Sequence, residues 1–456
     1  MSMLPILLSL AGWMPLPPVA VQDAVPQSAD EVASNRGSEA HRSWPQWRGP
    51  LGTGEAPHAS PPIRWSETEN IRWRVALPGL GHSTPIVWDD VIYVTTAVTT
   101  GAVLPPQIEK VDGAHDNLVV RQRRLFKVMA LALDDGRTLW EETVVEALPH
   151  AGGHVSGSHA SPSPVTDGKR LYASFGSYGV ACLDLGGKIL WQQDLGDMQT
   201  KHAHGEGSSP ALHGDTLFLN WDHEGPSFLV ALNKFNGEER WRVERAEVTS
   251  WSSPVVVDCG GQPQLIVSGT KRVRAYDVDS GDVIWECGGL SHNVVASPVP
   301  GDGMVFVASS YEKQSMLAIR LAGAAGDLTR SENLVWARRR MTSYVPTPLL
   351  YGGYLYFFHH YQNVFAQVEA ISGKEHHGPF RLDQFGNVYA SPVAANGRVY
   401  ATSLNGTTVV LKHGTPPTPL ARNELHDTFS ASAAVVGDCL LLRGRKFLYC
   451  IAQDES

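Results

Sequence analysis

The chain has 456 residues, 43% of them hydrophobic, which is enough for a packed core and excludes a disordered chain. A formal charge of −9, with 18% charged residues and no basic stripe, argues against nucleic acid as a partner. The 44 glycines and 30 prolines are spread along the chain and favour many short strands over long helices.

At the start, an apolar run from Leu4 to Trp13 is followed by small residues near Ala20 and Ala24. That run has the length of a signal-peptide core and is too short to span a bilayer. We therefore expect an export signal over 1–24, a flexible linker over 25–43, and a periplasmic or secreted protein. No later segment is long enough for a transmembrane segment.

Residues 71–77, with Trp73, read as a lone outer strand standing just ahead of a repeat. Each repeat has a Ser-Pro or Ser-x-Pro lead-in, a short β-rich run, a turn, two more runs and a terminal Trp. The lead-in prolines are Pro85, Pro162, Pro210, Pro254, Pro298, Pro348 and Pro392, with Ala433 in the eighth place. The steps Pro210 to Pro254, Pro254 to Pro298 and Pro348 to Pro392 are each 44 residues, whereas Pro85 to Pro162 is 77. An insertion at roughly Val98 to Arg124 accounts for the excess.

The second half of the repeat keeps a fixed spacing. Ala130, Gly136 and Trp140 recur as Ala181, Gly187 and Trp191, then as Ala231, Gly237 and Trp241, then as Ala275, Gly281 and Trp285. Unit five stretches the pattern from Ala318 to Trp336. Unit six keeps Gly373 but has His377 at the Trp position, and units seven and eight lose it.

A period near 44 with four short strands predicts an all-β fold, an eight-bladed β-propeller with four-stranded blades over residues 44–456. Runs apolar on both faces, such as Met304-Val-Phe-Val, suit strands sandwiched between blades. The Gly supplies a positive-φ turn, and the Trp is expected to wedge between adjacent blades. Unit eight ends at Tyr449 to Ala452 with no outer strand of its own. Residues 71–77 are expected to complete this last blade, which removes the open edges.

Cys439 and Cys450 lie symmetrically about Gly444-Arg445. In a simple hairpin they would face each other within reach of a Cys439–Cys450 disulfide; the alternative is two buried thiols. No Cys-x-x-Cys occurs among the five cysteines.

The Ala-x5-Gly-x3-Trp spacing and the Ser-Pro lead-in resemble the PQQ-like (quinoprotein-type) propeller repeat, over about residues 71–453. One branch of that family comprises quinoprotein alcohol dehydrogenases. The other is non-catalytic and similar to the outer-membrane assembly factor BamB. The dehydrogenases hold PQQ against a ring formed by two adjacent cysteines and bring Ca²⁺ with Glu, Asn and Asp ligands. This chain has no Cys-Cys, and no motif carries the ligand positions over. BamB is a lipoprotein, whereas no cysteine precedes Cys182 here. The segment Trp44-Pro-Gln-Trp-Arg-Gly-Pro looks most like bacterial exported proteins named only for the repeat.

In such a propeller the lead-in loops and the second-to-third-strand turns share one face, at the mouth of the central channel. Three residues before each lead-in stand His82, His159, Gly207, Trp251, Val295, Val345, Tyr389 and Ser430. With their neighbours they give His82, His159, His204, Glu206, Trp251, His292, Asn293, Tyr344 and Tyr389 as candidate ligand-binding residues. His154, Tyr311 and His360 stand close by, and the insertion would lie over this face as a partial lid. Such a ring suits a polar ligand with planar or hydroxyl-bearing groups; the alternative is that the side chains fill the mouth and satisfy one another. His202-Ala-His204-Gly-Glu206 could offer three metal ligands, but no partner spacing supports one, and no metal is assigned. The Ser-Pro serines (Ser161, Ser209, Ser253, Ser297, Ser391) are too regular for an active site and read as structural.

The functional expectation is a binding or scaffold module for an envelope protein, a peptide or a saccharide, with no cofactor and no assigned catalytic residue. The alternative is a PQQ-dependent oxidoreductase, an alcohol or sugar dehydrogenase using PQQ with Ca²⁺.

Overall fold

In the computed structural model, residues 43–106 and 113–453 are described; the expected signal over 1–24 and the linker up to residue 42 lie outside them. The repeats fold as antiparallel sheets. Blade one runs outward through Ile86–Trp88, Val91–Thr100, Arg123–Ala132 and Thr138–Ala147. Six further blades begin at Val165, Ala211, Val255, Val299, Leu349 and Val393. The eighth comprises Ala434–Val436, Cys439–Arg443, Phe447–Ile451 and, as its outer strand, Ile71–Ala76. Trp73 pairs with Cys450 and Ala76 with Phe447, so the chain's early strand seals the ring. Among the described residues there are only short 3₁₀ turns besides strands, and no helix long and apolar enough to cross a membrane.

The Gly and Trp of the repeat act on each other across blade boundaries. The indoles of Trp73, Trp140, Trp191, Trp241 and Trp336 cover the turn glycine of the following blade: Gly136, Gly187, Gly237, Gly281 and Gly373. A Cβ on any of these glycines would come within 2.6–2.8 Å of the indole, and each glycine has φ between +67° and +94°. Each of these indole N–H groups donates at 2.9–3.0 Å to a backbone carbonyl of the same turn, on Leu133, Leu185, Lys234, Val278 and Ala370 respectively. Glycine is needed twice over, for its φ and for the absence of a side chain. Trp285 has no such glycine to cover, because unit five is stretched. Its N–H goes to Gln264 at 3.0 Å, and Gly326–Asp327 from the stretched loop pairs alongside its strand. Blade seven lacks the Trp altogether. There Trp65, from the segment before the closing strand, packs in one apolar cluster with Ala421, Leu425 and Tyr449.

Two expectations shift in register. Blade two's inner strand starts at Val165, so its lead-in proline is Pro164 and not Pro162. The doubled Ser161-Pro162-Ser163-Pro164 offers both, and strand pairing selects the second. In the last hairpin Leu441, not Cys439, lies opposite Cys450, because the turn is centred one residue later than Gly444-Arg445. Cys439 and Cys450 are therefore diagonal neighbours, and both are free thiols. An Arg72 N–H donates to the Cys439 sulfur at 3.0 Å.

Candidate functional site

The residue before each lead-in proline is small and hydroxylated, and the reason is a hydrogen-bonded ring. The backbone N–H of Thr84 donates to the Ser163 hydroxyl; Ser163 does the same to Ser209, Ser209 to Ser253, and Ser253 to Ser297. Ser297 donates to Thr347, Thr347 to Ser391, and Ser391 to Ser432, all at 2.9–3.0 Å. The chain of bonds breaks only at the seam, where the Thr84 hydroxyl has no partner among the described residues. Arg443 of blade eight bridges that gap, donating to Ser83 and, at 2.6 Å, to the Thr95 carbonyl of blade one. The structural role expected for these serines is correct, with Ser163 in the place given to Ser161.

Two residues further back along each lead-in, the side chains turn into the channel. With blade two read from Pro164, the ring is His82, Ser161, Gly207, Trp251, Val295, Val345, Tyr389 and Ser430. All eight line one cavity of about 380 Å³ at the channel mouth. His159 does not line it: its Nε2 bonds the Ala151 carbonyl at 2.9 Å and its ring packs edge-on against Phe126 and Tyr178.

The N-terminal segment makes the cavity blind. Trp44 bridges the far end of blade one's inner strand at Val87, Pro45 accepts from Thr166 of blade two, and Gly54 and Ala56 pair with Ala394 of blade seven. The segment thus crosses the channel under the mouth, and Trp47 forms part of the cavity lining. Arg48 is buried and anchors the crossing, donating to the carbonyls of Pro392 at 2.8 Å and Thr53 at 2.6 Å.

The two halves of the wall differ in chemistry. Blades four to seven contribute Trp251, Tyr311, Tyr344, His360, Tyr361 and Tyr389. Tyr344 stacks on His360 at 4.7 Å between ring centroids, and Tyr361 on Tyr389 at 5.8 Å. Trp251 is held by its N–H to the Gly205 carbonyl at 2.7 Å. The other half offers His82, His154, Ser156, Ser158, Ser161, His204 and Ser430. Burial pushes His82 down to about 3 and His204 to about 4, and it also lowers His154 and His360, so these imidazoles are neutral at neutral pH. Among the described residues, no Lys, Arg or Asp lines the cavity. Its carboxyl Glu206 is held by the N–H of Ser177 at 2.7 Å and by the Ser177 hydroxyl. Burial nevertheless raises its pKa well above the carboxylate range.

The insertion reaches this rim. Asn117 donates to the His202 carbonyl at 2.7 Å, Leu118 to Gly153 at 2.9 Å, and Asp116 accepts from Val155. His115 lines the cavity and packs on His202 and His204 at 5.1 and 4.8 Å between centroids; His154 lies 4.7 Å from His204. His202 and Ala203 adopt positive φ to form this loop. Glu206 turns away from the imidazoles, and no three His, Cys, Asp or Glu groups among the described residues are arranged to hold a metal ion.

Of the nine candidate residues, His82, His204, Glu206, Trp251, Tyr344 and Tyr389 line the cavity. His292 is an exposed partner of Glu312, and Asn293 is buried beside Tyr344. Trp47, His115 and Tyr361 were not among the candidates. The first was read only as part of a family-like segment, the second sits inside the insertion, and the third follows a His pair on a turn.

A family model for these repeats, described as outer membrane protein assembly factor BamB, matches residues 124–377 and 229–438. Solved structures of similar fold include BamB from Moraxella catarrhalis, 12% identical with a TM-score of 0.52, covering 78% of this chain and 98% of that one. A europium-containing methanol dehydrogenase is 10% identical with a TM-score of 0.62, covering 91% of each chain. The quinohemoprotein alcohol dehydrogenase from Comamonas testosteroni is 10% identical with a TM-score of 0.64, covering 94% of this chain and 83% of that one. At these identities the likeness is one of fold. No curated protein matches.

Proposed function

This chain belongs to the PQQ-like β-propeller repeat family, and from that premise we propose that it is an exported binding module for a small hydroxylated ligand, a saccharide residue, at the channel mouth. The observation that carries the reading is the two-sided blind cavity. Aromatic rings on blades four to seven offer apolar faces for the C–H face of a sugar ring. Imidazoles and hydroxyls opposite them offer hydrogen bonds without charge. A volume of about 380 Å³ lies in the range of small-molecule sites. It is too small for a folded partner, which leaves a protein only a protruding residue to insert.

The dehydrogenase alternative finds less support. PQQ is a planar tricarboxylate that its enzymes hold with Ca²⁺. Here the lining has one carboxyl among the described residues, engaged by Ser177, and the five cysteines are free and well separated in sequence. These residues do not fit the quinone with its metal, so no redox step is derived. The description of the family as an outer membrane assembly factor favours a place in the bacterial envelope, periplasmic or secreted, and fractionation of expressing cells tests that.

Binding is tested by titrating purified protein with hexoses and following tryptophan fluorescence, since Trp47 and Trp251 both line the cavity. Saturable quenching that is lost in Tyr389→Ala supports the reading. Absence of any sugar response, with dye reduction on adding PQQ, Ca²⁺ and an alcohol, would favour the oxidoreductase.

A further inference from the structure

Among the described residues the cavity lining carries no cation, yet cations stand directly behind one part of it. The Arg443 guanidinium is buried, its donors go to Ser83 and Thr95, and no carboxylate lies within ion-pair distance among the described residues. It packs against Gly81, where a Cβ would come within 2.2 Å of a guanidinium nitrogen, and so sits behind the next residue, His82. Arg445, two residues on, is exposed on the same mouth-face turn. The field of both arginines reaches the His82 ring and holds it neutral, adding to the effect of burial.

Three described carboxylates on this face, Asp427, Glu312 and Glu206, are engaged elsewhere. Asp427 accepts the N–H groups of Thr428, Lys446 and Phe447. Glu312 is paired with His292, Glu206 with Ser177, and Asp116 lies on the insertion beside His154. A buried cation without a counter-ion costs free energy that an anion in the adjoining cavity would recover. Low-dielectric walls around a blind end focus such a field rather than letting water screen it.

We propose that the ligand of this cavity is negatively charged, a sugar bearing a carboxylate or phosphate, and that its acidic end docks at His82 in front of Arg443 and Arg445. This rests on the saccharide reading above and assigns His82 and Arg445 to specificity. The neutral imidazole supplies a hydrogen-bond donor, and the arginines supply charge without contact.

The test compares glucose, glucuronate and glucose 6-phosphate on the full chain by calorimetry at two ionic strengths. An acidic sugar is expected to bind about tenfold tighter than glucose at low salt, with the difference shrinking as salt rises. Whether the carboxylate or the phosphate binds tighter identifies the acidic group. Arg443 also pins the seam, so the diagnostic variant is the exposed Arg445→Gln, which should lower the preference for the acidic sugar over glucose about threefold. Equal affinity for all three sugars, or a preference unaffected by both salt and Arg445→Gln, overturns the charge assignment and leaves the saccharide reading standing. No binding of any sugar overturns both.

Discussion

The outer rim and the channel mouth are built from the same repeat and obey opposite rules. At the rim, five of the eight blade boundaries carry the same Trp and Gly pair. Five indoles cover five turn glycines with one geometry, and every copy does the same work of fixing one blade to the next. At the mouth, the position three before each lead-in carries His, Ser, Gly, Trp, Val, Val, Tyr and Ser in turn, on backbones held in register by the hydroxyl ring. Identity across repeats therefore marks stability, and variation at a geometrically equivalent position marks the candidate site. Rigid blades make this division possible, because the mouth residues are not asked to hold the fold.

The largest effect that would break this contrast is at the rim. Trp73→Ala removes an indole and loosens the closing strand. It should cost about 3–5 kcal/mol in chemical denaturation and expose sheet edges that show as aggregation in size-exclusion chromatography. Gly237→Ala should cost about 2–3 kcal/mol, from strain at φ +76° and a Cβ 2.7 Å from the Trp191 ring. On a Trp191→Leu background the same change should cost clearly less; additive costs would mean the pair does not act as a unit.

Acidity separates the regions next. His82, His154, His204 and His360 have lowered folded-state pKa values, so the unfolded chain takes up protons first as pH falls through 6.5. Their contribution is complete above that pH and declines toward pH 4, by at most about 1.4 kcal/mol per pH unit for each proton. Glu206, with its raised pKa, works the other way and favours the folded chain as pH drops from neutral toward 4.5. The melting temperature should fall over the histidine window, and His82→Gln should flatten that fall. A profile unchanged by the substitution would show that His82 titrates normally.

The smallest stability effect belongs to the mouth. Tyr389→Ala should change folding free energy by less than about 1 kcal/mol while lowering sugar affinity about tenfold. A stability loss matching that of Trp73→Ala would erase the distinction between rim and mouth.

The seven lead-in prolines with Ala433, together with the spacing of Ala, Gly and Trp, were enough, read along the chain, to count eight blades and to see that Trp73 must finish the last one. Strand length, turn chemistry and the need to cover edges are local properties, and a linear sequence carries them. His82, His204, Glu206, Trp251, Tyr344 and Tyr389 could be placed at the channel mouth for the same reason, because they stand near a fixed offset from a repeated proline.

What the tertiary structure alone decided was pairing across blades and across the channel. The glycine of one unit answers to the tryptophan of the unit before it, a relation the intra-repeat spacing does not contain. Strand register chose Pro164 over Pro162, which brought Ser161 into the ring and took His159 out. It also moved the last turn by one residue and put Cys439 diagonal to Cys450 instead of directly opposite it. Trp47 became a floor because Trp44 and Ala56 meet blades one and seven, and Arg443 came to stand behind His82 because the ring closes there. Such contacts join residues up to several hundred positions apart, and closing the circle is what brings them together.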